Sequence, residues 1–487
     1  MIKLKELLNN KSWASDEFKN MRIKSGRLLK RFILSMITLS INPALSISAA
    51  SANYTEAKAI YRMVNNPEIT EEMIIETHKQ ATIKRLAESG ENIVLNVQDT
   101  TELNYTGLKQ TSGLGEIGSH IKSRGLIVHS SLAVLTSGLP LGLLAQNVWA
   151  RDPEERGKSK DDHKRPFEEK ESYKWFKGME NSTNGIPSDI RVVNICDREG
   201  DIFEFFAKAI ENKREFLVRA VQNRKTDEDE KILDKVQGVE ASGIAIVDIP
   251  RDTRNNIKAR KAALEIKHTK VNIEVPERLA SKYRNQKYIE LYIVHAKETK
   301  LPEEYATLQK TQKNKKIESE DKNNSAESIE WFLITNIPVK SFDDAMEKVR
   351  WYIHRWKIER FHYVLKSGCK IEELQQETVE RIQKLIPIYS IIAARLLCIT
   401  YLARTNPDIS CEVVLEEYEW QVLYCIANRT KIPPEKAPTI KEAVLLLARV
   451  GGFLARKGDG DPGVVVIWRG YAILSEVFQY ASYIPSR

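Results

Sequence analysis

Tyr352, Arg355, Glu359 and Lys366 stand at spacings of three, four and seven within the apolar-rich segment from Met346 to Lys366. On a helix advancing about 100° per residue they fall at about 0°, 300°, 340° and 320°, one stripe about 60° wide. A carboxylate, two cations and a phenol on one edge suit metal-dependent phosphoryl transfer. Glu359 would hold a divalent cation, Arg355 and Lys366 would hold phosphates, and Tyr352 would donate to a phosphate or stack on a base. An ordinary Arg355/Glu359 surface ion pair at i, i+4 explains the same spacing. Arg350, Lys357 and Arg360 lie elsewhere around the segment and read as backbone-binding or solvated.

Two aspartates extend the chemistry. Asp99 ends the run IVLNVQD and Asp197 ends VVNICD, each after a stretch that reads as a buried strand. Loop positions at strand ends of a helix-covered sheet are where ligands gather, although Asp is equally common there as a turn or cap residue. Taken with Glu359, the two would supply three hard oxygen donors, the kind Mg²⁺ takes alongside water and substrate phosphate. The eight histidines form no H-E-x-x-H and no Cys/His pairing with zinc spacing.

The elements that must position these groups are legible in outline. Ile93 to Val97, Leu126 to Leu135, Leu141 to Val148, Val192 to Cys196 and Phe216 to Val218 are short apolar, β-branched runs that predict buried strands. Asp201 to Glu211 has helical periodicity, so a mixed sheet covered by helices is expected. Beyond Asn223, the patterns at Ile244 to Ile249, Leu264 to Val275 and Tyr288 to Val294 predict an antiparallel insertion. Lys297 to Ser328 is highly charged, as in a solvated loop, and Trp331 to Asn336 resumes strand character.

Residues 1 to 75 read as helical, with Trp13 and Phe18 as apolar anchors and a cationic cluster at Lys19, Arg22, Lys24, Arg27, Lys30 and Arg31. That cluster suits DNA recognition and equally suits a solvated basic face. After residue 371 the pattern is helical again at Val379 to Arg404, Cys411 to Asn428 and Thr439 to Arg449. The final segment, Val464 to Tyr483, carries Trp468, Tyr471, Phe478, Tyr480 and Tyr483, as a core or an interface would.

Composition places the chain among soluble globular proteins: 487 residues, 42% hydrophobic, 29% charged, with a formal net charge of +8. A mildly basic balance suits a polyanion without demanding one. Five cysteines with no C-x-x-C pair predict a reducing, cytoplasmic compartment. The stretch from Met21 to Ala52 mimics a secretory signal, but it starts twenty residues into the chain and Asn42, Pro43 and several serines interrupt it. A buried helix is expected there, and no membrane partner.

With these residues in view, the sequence resembles the DDE transposases of bacterial cut-and-paste elements, insertion-sequence family four, whose signature is Y-x2-R-x3-E-x6-K. Tyr352, Arg355, Glu359 and Lys366 match it without a gap. The family's D-T-T-x-L-x-Y pattern is matched by Asp99, Thr100, Thr101, Leu103 and Tyr105, and its D-R-E-x-D by Asp197, Arg198, Glu199 and Asp201. The YRMVNNP stretch around Tyr61 and Arg62, the KSRG of Lys122 to Gly125, Arg219 after a strand, and the GGF at Gly451 to Phe453 follow in family order.

The resemblance implies an α/β fold with a ribonuclease-H-like mixed sheet flanked by helices. It also implies a helical DNA-end recognition domain over 1–75 and a catalytic domain over 76–370 with a β-rich insertion at about 224–330. A helical dimerisation domain over 371–487 would complete the chain. It implies nicking of the element end, attack of the freed 3′ hydroxyl on the opposite strand to form a hairpin, reopening by water, and joining to target DNA. Two Mg²⁺ ions, which Mn²⁺ could replace, would be shared by Asp99 with Asp197 and by Asp99 with Glu359. Tyr352, Arg355, Lys366 and Arg219 would grip phosphates near a flipped base and Trp331 would stack on it. Arg27 and Arg62 would recognise the ends. The partners implied are double-stranded DNA and a second copy of the chain. Lys225 to Ser328 matches nothing residue by residue, and Glu102, Asn104 and Lys109 carry no assigned role. A catalytically silent end-binding inhibitor and another ribonuclease-H-like nuclease are the alternative functions.

Overall fold

The computed structural model describes residues 13–118, 122–152, 165–249, 260–299, 328–456 and 459–481. The chain divides into two compact units, one made of 1–192 with 356–487 and the other of 193–355.

The helices of the first stretch are α1 (Trp13–Phe18), α2 (Gly26–Ile41), α3 (Ile47–Ala50), α4 (Tyr54–Val64) and α5 (Glu71–Ser89). Their starts are set by side-chain caps that satisfy orphan N–H groups. Ser25 accepts from Leu28, Asn53 from Glu56 and Thr70 from Met73, while Gly90 ends α5 in a left-handed turn at φ 75°. Trp13 and Phe18 are buried, as are Leu28, Phe32, Met36 and Leu39 on one face of α2. The signal-like stretch is therefore a core-facing helix over its first half.

Then come β1 (Ile93–Asn104), β2 (Gly115–Glu116), β3 (Arg124–Leu135), β4 (Pro140–Trp149), α6 (Lys174–Thr183), β5 (Arg191–Cys196), α7 (Phe203–Glu211), β6 (Glu215–Arg219) and α8 (Ile232–Gly238). They are followed by β7 (Gly243–Ile249), β8 (Arg260–Glu274), β9 (Tyr288–Thr299), β10 (Glu330–Thr335), α9 (Phe342–Ile353) and α10 (Trp356–Tyr363). The C-terminal helices are α11 (Val379–Thr405), α12 (Glu417–Asn428), α13 (Ile440–Val450) and α14 (Val464–Ala481). The architecture is mixed α/β.

In the first unit β1, β3 and β4 form an antiparallel meander, with β2 on β3. Every residue of β3 after Arg124 is buried, the polar His129, Ser130 and Ser131 in its middle included. Helices α5, α6 and α11 pack on β4. Among the described residues α11 alone is long and apolar enough to cross a membrane, yet 94% of its most apolar window is buried inside the protein. It serves as a core helix. The Gly-Gly-Phe turn after α13 has a packing reason: a Cβ on Gly451 would lie 1.9 Å from Val466 O, and one on Gly470 would lie 1.7 Å from Leu447 O. Helices α13 and α14 touch backbone to backbone.

In the second unit β5 and β6 are parallel, and β6, β10, β9, β8 and β7 follow with antiparallel neighbours. The expected antiparallel insertion is present, but its strands pair through β9 with β10 and so extend the sheet that carries β5 and β6. All five cysteines are free thiols, four of them buried. Most of the charged stretch Lys297 to Ser328, and Tyr483, lie outside the described residues, and the placement of the Phe478 and Tyr480 side chains is likewise undescribed.

Candidate nucleic-acid and phosphoryl-transfer site

Asp99 lies in the middle of β1, opposite Ser130 of β3, and not at a strand end as the sequence suggested. The strand continues because Thr100 and Thr101 are β-branched, and because Gln98, Asp99 and Thr100 face the polar Ser131, Ser130 and His129 of β3. The Thr100 N–H donates to Asp99 Oδ1 at 2.8 Å. On the other oxygen, His362 Nδ1 stands 3.6 Å from Asp99 Oδ2.

His362 belongs to α10, one turn beyond Glu359, and residues three apart share a helix face. The half-buried Glu359 thus stands one turn before His362 on the helix that packs on β1. Below Asp99, His129 has Nδ1 2.9 Å from Thr100 Oγ1 and Nε2 3.1 Å from Gln98 Oε1. Burial first, then Lys174, hold it far below the usual histidine range, at about 3, so it is neutral. Helix α6 closes over these residues through Gly178, where a Cβ would come 2.3 Å from Gln98 Oε1.

The segment expected as one helix is broken. Helix α9 starts at a Ser341/Asp344 capping box and ends at Ile353. His354 and Arg355 then form a tight turn with bonds to Trp351 O and Tyr352 O, and α10 begins at Trp356. A π-turn over Val364–Gly368 follows, closed by Cys369 N–H donating to Val364 O at 2.8 Å. The simple angular stripe thus ends at the break, which is also where the two compact units divide. No glycine or proline marks it, so periodicity alone could not find it.

Lys366, on the π-turn, donates to Glu102 O at 2.6 Å and lies 3.7 Å from Glu372 Oε1. Glu102 also pairs with Arg151 at 3.0 Å, and the Asn104 N–H donates to Glu372 Oε1 at 2.7 Å. Glu102 and Asn104 thereby shape the surroundings of Lys366. Lys357, read as solvated or backbone-binding, instead lies 4.6 Å from the Tyr401 ring centre, and burial pulls its ammonium down to about 8. Arg27 on α2 and Arg62 on α4 are exposed.

In the second unit Asp197 follows β5 and caps a short 3-10 turn, accepting from Glu199 N–H at 2.8 Å. Asp201 is buried and accepts from the N–H groups of Val221 and Gln222 at 2.7 and 2.8 Å, as well as from Arg224. It therefore ties the turn after β6 to the turn after β5. Tyr352 lies in the last turn of α9 and Arg355 in the tight turn that follows it. Trp331 meets Tyr352 edge to face at 5.4 Å, and the Arg355 guanidinium lies 5.8 Å from the Tyr352 ring centre. Burial pushes the Tyr352 hydroxyl above its ordinary range against the pull of Arg355 and Arg219. Arg219 donates to Glu330 O at 3.2 Å. Trp331 is 7% exposed, so this conformation leaves little of its face for a base.

Comparison with known proteins bears on both ends of the chain. Residues 10–69 match the family model described as transposase DNA-binding, and residues 391–486 match the transposase Tn5 dimerisation domain. These matches support a Tn5-like DNA transposase. They place Arg27 and Arg62 within the DNA-binding match, and α12, α13 and α14 within the dimerisation match. A solved structure, the cryo-EM structure of a piggyBac transposase synaptic complex with hairpin DNA, aligns over 100% of this chain and 82% of that one. Its identity is 7% and its TM-score 0.35, too low to carry an argument about fold.

Among the described residues no three of His, Cys, Asp and Glu converge as they would around a bound ion. The donor chemistry of Asp99, Asp197 and Glu359 nevertheless fits Mg²⁺, which takes one or two carboxylates and completes its shell with water and phosphate oxygens.

Proposed function

We propose that the chain is a DDE transposase of insertion-sequence family four that excises its element through a hairpin and joins it to target DNA, acting in the bacterial cytoplasm as a dimer. The observation that carries the reading is the packing on β1 of α10, the helix of Glu359, which sets His362 beside Asp99 in a chain whose two ends match transposase domains. On this reading the central folds belong to a ribonuclease-H-like core.

Asp99, Asp197 and Glu359 are the residues that would hold divalent cations. Such ions, when bound, activate the attacking oxygen and stabilise the leaving one. The chain's own groups do the rest. Arg62 and Arg27 hold the element end by its phosphates, and Arg219, Arg355 and Lys366 neutralise the strand near the cut. Water cleaves one strand, leaving a 3′ hydroxyl. That hydroxyl attacks the opposite phosphodiester, closing a hairpin and releasing the flanking strand. A second water opens the hairpin, and the 3′ ends attack target DNA. Tyr352 and Trp331 give an extruded base its place, with Tyr352 swinging off the Trp331 ring to admit it.

The test is purified protein with a linear duplex carrying the element end and Mg²⁺, resolved on denaturing gels. Nick and hairpin products are expected. A band shift with no cleavage would instead identify an end-binding protein without catalysis.

A further inference from the structure

Histidine 362 is 5% exposed and sits in the face of α10 that covers β1. Its Nδ1 points at Asp99 Oδ2 from 3.6 Å, while its Nε2 is buried and meets no hydrogen-bond partner. The ring centre of Phe361 lies 5.3 Å away, so the wall around it is partly apolar. Leaving a ring nitrogen unsatisfied in such a place is unfavourable, and phenylalanine of similar shape avoids that cost. The polar ring is therefore explained by what its Nδ1 side does.

Asp99 shows what that is. Its Oδ1 is fixed by the Thr100 N–H at 2.8 Å, and the His362 imidazole faces Oδ2. The separation of 3.6 Å exceeds a hydrogen bond, and a shift of less than about 1 Å would close it to one. We infer that His362 is a positioning residue for Asp99, donating from Nδ1 to the carboxylate that takes up the divalent cation. This rests on the reading of Asp99 as a metal ligand. Loss of such an outer partner typically costs 10–100-fold in metal affinity or activity.

Three substitutions separate this role from simple packing. His362→Phe keeps the ring and removes both nitrogens, His362→Asn keeps a donor near Nδ1, and His362→Gln keeps one near Nε2. Mn²⁺ binding by the full chain on the element-end duplex, followed by electron paramagnetic resonance of free Mn²⁺, is compared with the Mg²⁺ dependence of nicking. For His362→Phe both midpoints are expected to rise about 10–100-fold, with duplex binding unchanged. His362→Asn should recover most of the loss and His362→Gln should not. Wild-type midpoints for His362→Phe, or equal behaviour of the Asn and Gln variants, would overturn the inference. If His362→Phe does not fold, the Asn/Gln comparison decides alone. Asp99→Ala is the control: if it binds Mn²⁺ as the wild type does, the metal-ligand reading itself fails, whereas a loss in Asp99→Ala without one in His362→Phe removes only the positioning role.

Discussion

Arg85 grips Glu17 from inside the first unit, with Nη1 2.7 Å from Oε2 and Nη2 3.1 Å from Oε1, both side chains almost wholly buried. His78 Nδ1 donates to the same carboxylate, and the Leu143 N–H donates to His78 Nε2 at 2.9 Å, which fixes the imidazole as neutral. The cluster ties α1 to α5 and β4. Removing one partner of a buried pair strands the other charge, so Glu17→Ala is expected to cost about 3–5 kcal/mol in urea unfolding. A loss below about 1 kcal/mol would show that the cluster does not hold the helix.

The same cluster predicts acid sensitivity. Burial alone would raise the Glu17 carboxyl, but Arg85 and His78 outweigh it and hold it at about 2; burial lowers His78 against the pull of Glu17. Both folded values lie below the unfolded ones, so both contributions are present at neutral pH and are lost on acidification. Stability should begin to fall below about pH 6.5 through His78, and fall further between about 4.5 and 2 through Glu17. Thermal melts across pH 3 to 8 check this, and in Glu17→Gln the lower phase should vanish.

Strands are the most legible part of the sequence, because Leu126 to Leu135 and Val192 to Cys196 are rich in β-branched and apolar residues despite His129, Ser130, Ser131 and Asn194. Asp99 reads as a strand end, since the polar TTELN stretch after it reads as a loop until β3 offers Ser130 opposite Asp99 and His129 opposite Thr100. The break at His354 and Arg355 carries no glycine or proline, so the stripe looked continuous. His362 stands three residues after Glu359, a helix-face spacing. That spacing is the signal the sequence offers for it, and no motif accompanies it.

Arg62 is exposed at the end of α4, inside the stretch that matches a transposase DNA-binding domain. If it meets one phosphate, Arg62→Ala should weaken binding of the element end and lower the slope of log K against log salt by about 1. Fluorescence anisotropy at several salt concentrations measures both. An unchanged slope would remove Arg62 from the phosphate contacts.

Gly470 leaves no room for a side chain, since its Cβ would overlap Leu447 O. Gly470→Ala should force α13 and α14 apart, costing about 1–3 kcal/mol or more. Within a segment that matches a dimerisation domain, the expected outcome is a lower Tm together with weaker self-association in sedimentation. Wild-type values of both would show that the contact is not needed.

The central claim is that Asp99, Asp197 and Glu359 act together on DNA phosphates. It is tested most directly by cleavage of an element-end duplex in Mg²⁺ by the wild type and by Asp99→Ala, Asp197→Ala and Glu359→Ala, with end binding measured in parallel. Each alanine variant is expected to bind the end as the wild type does and to give no nick and no hairpin. Cleavage at the wild-type rate by any of the three would contradict the role assigned to that carboxylate.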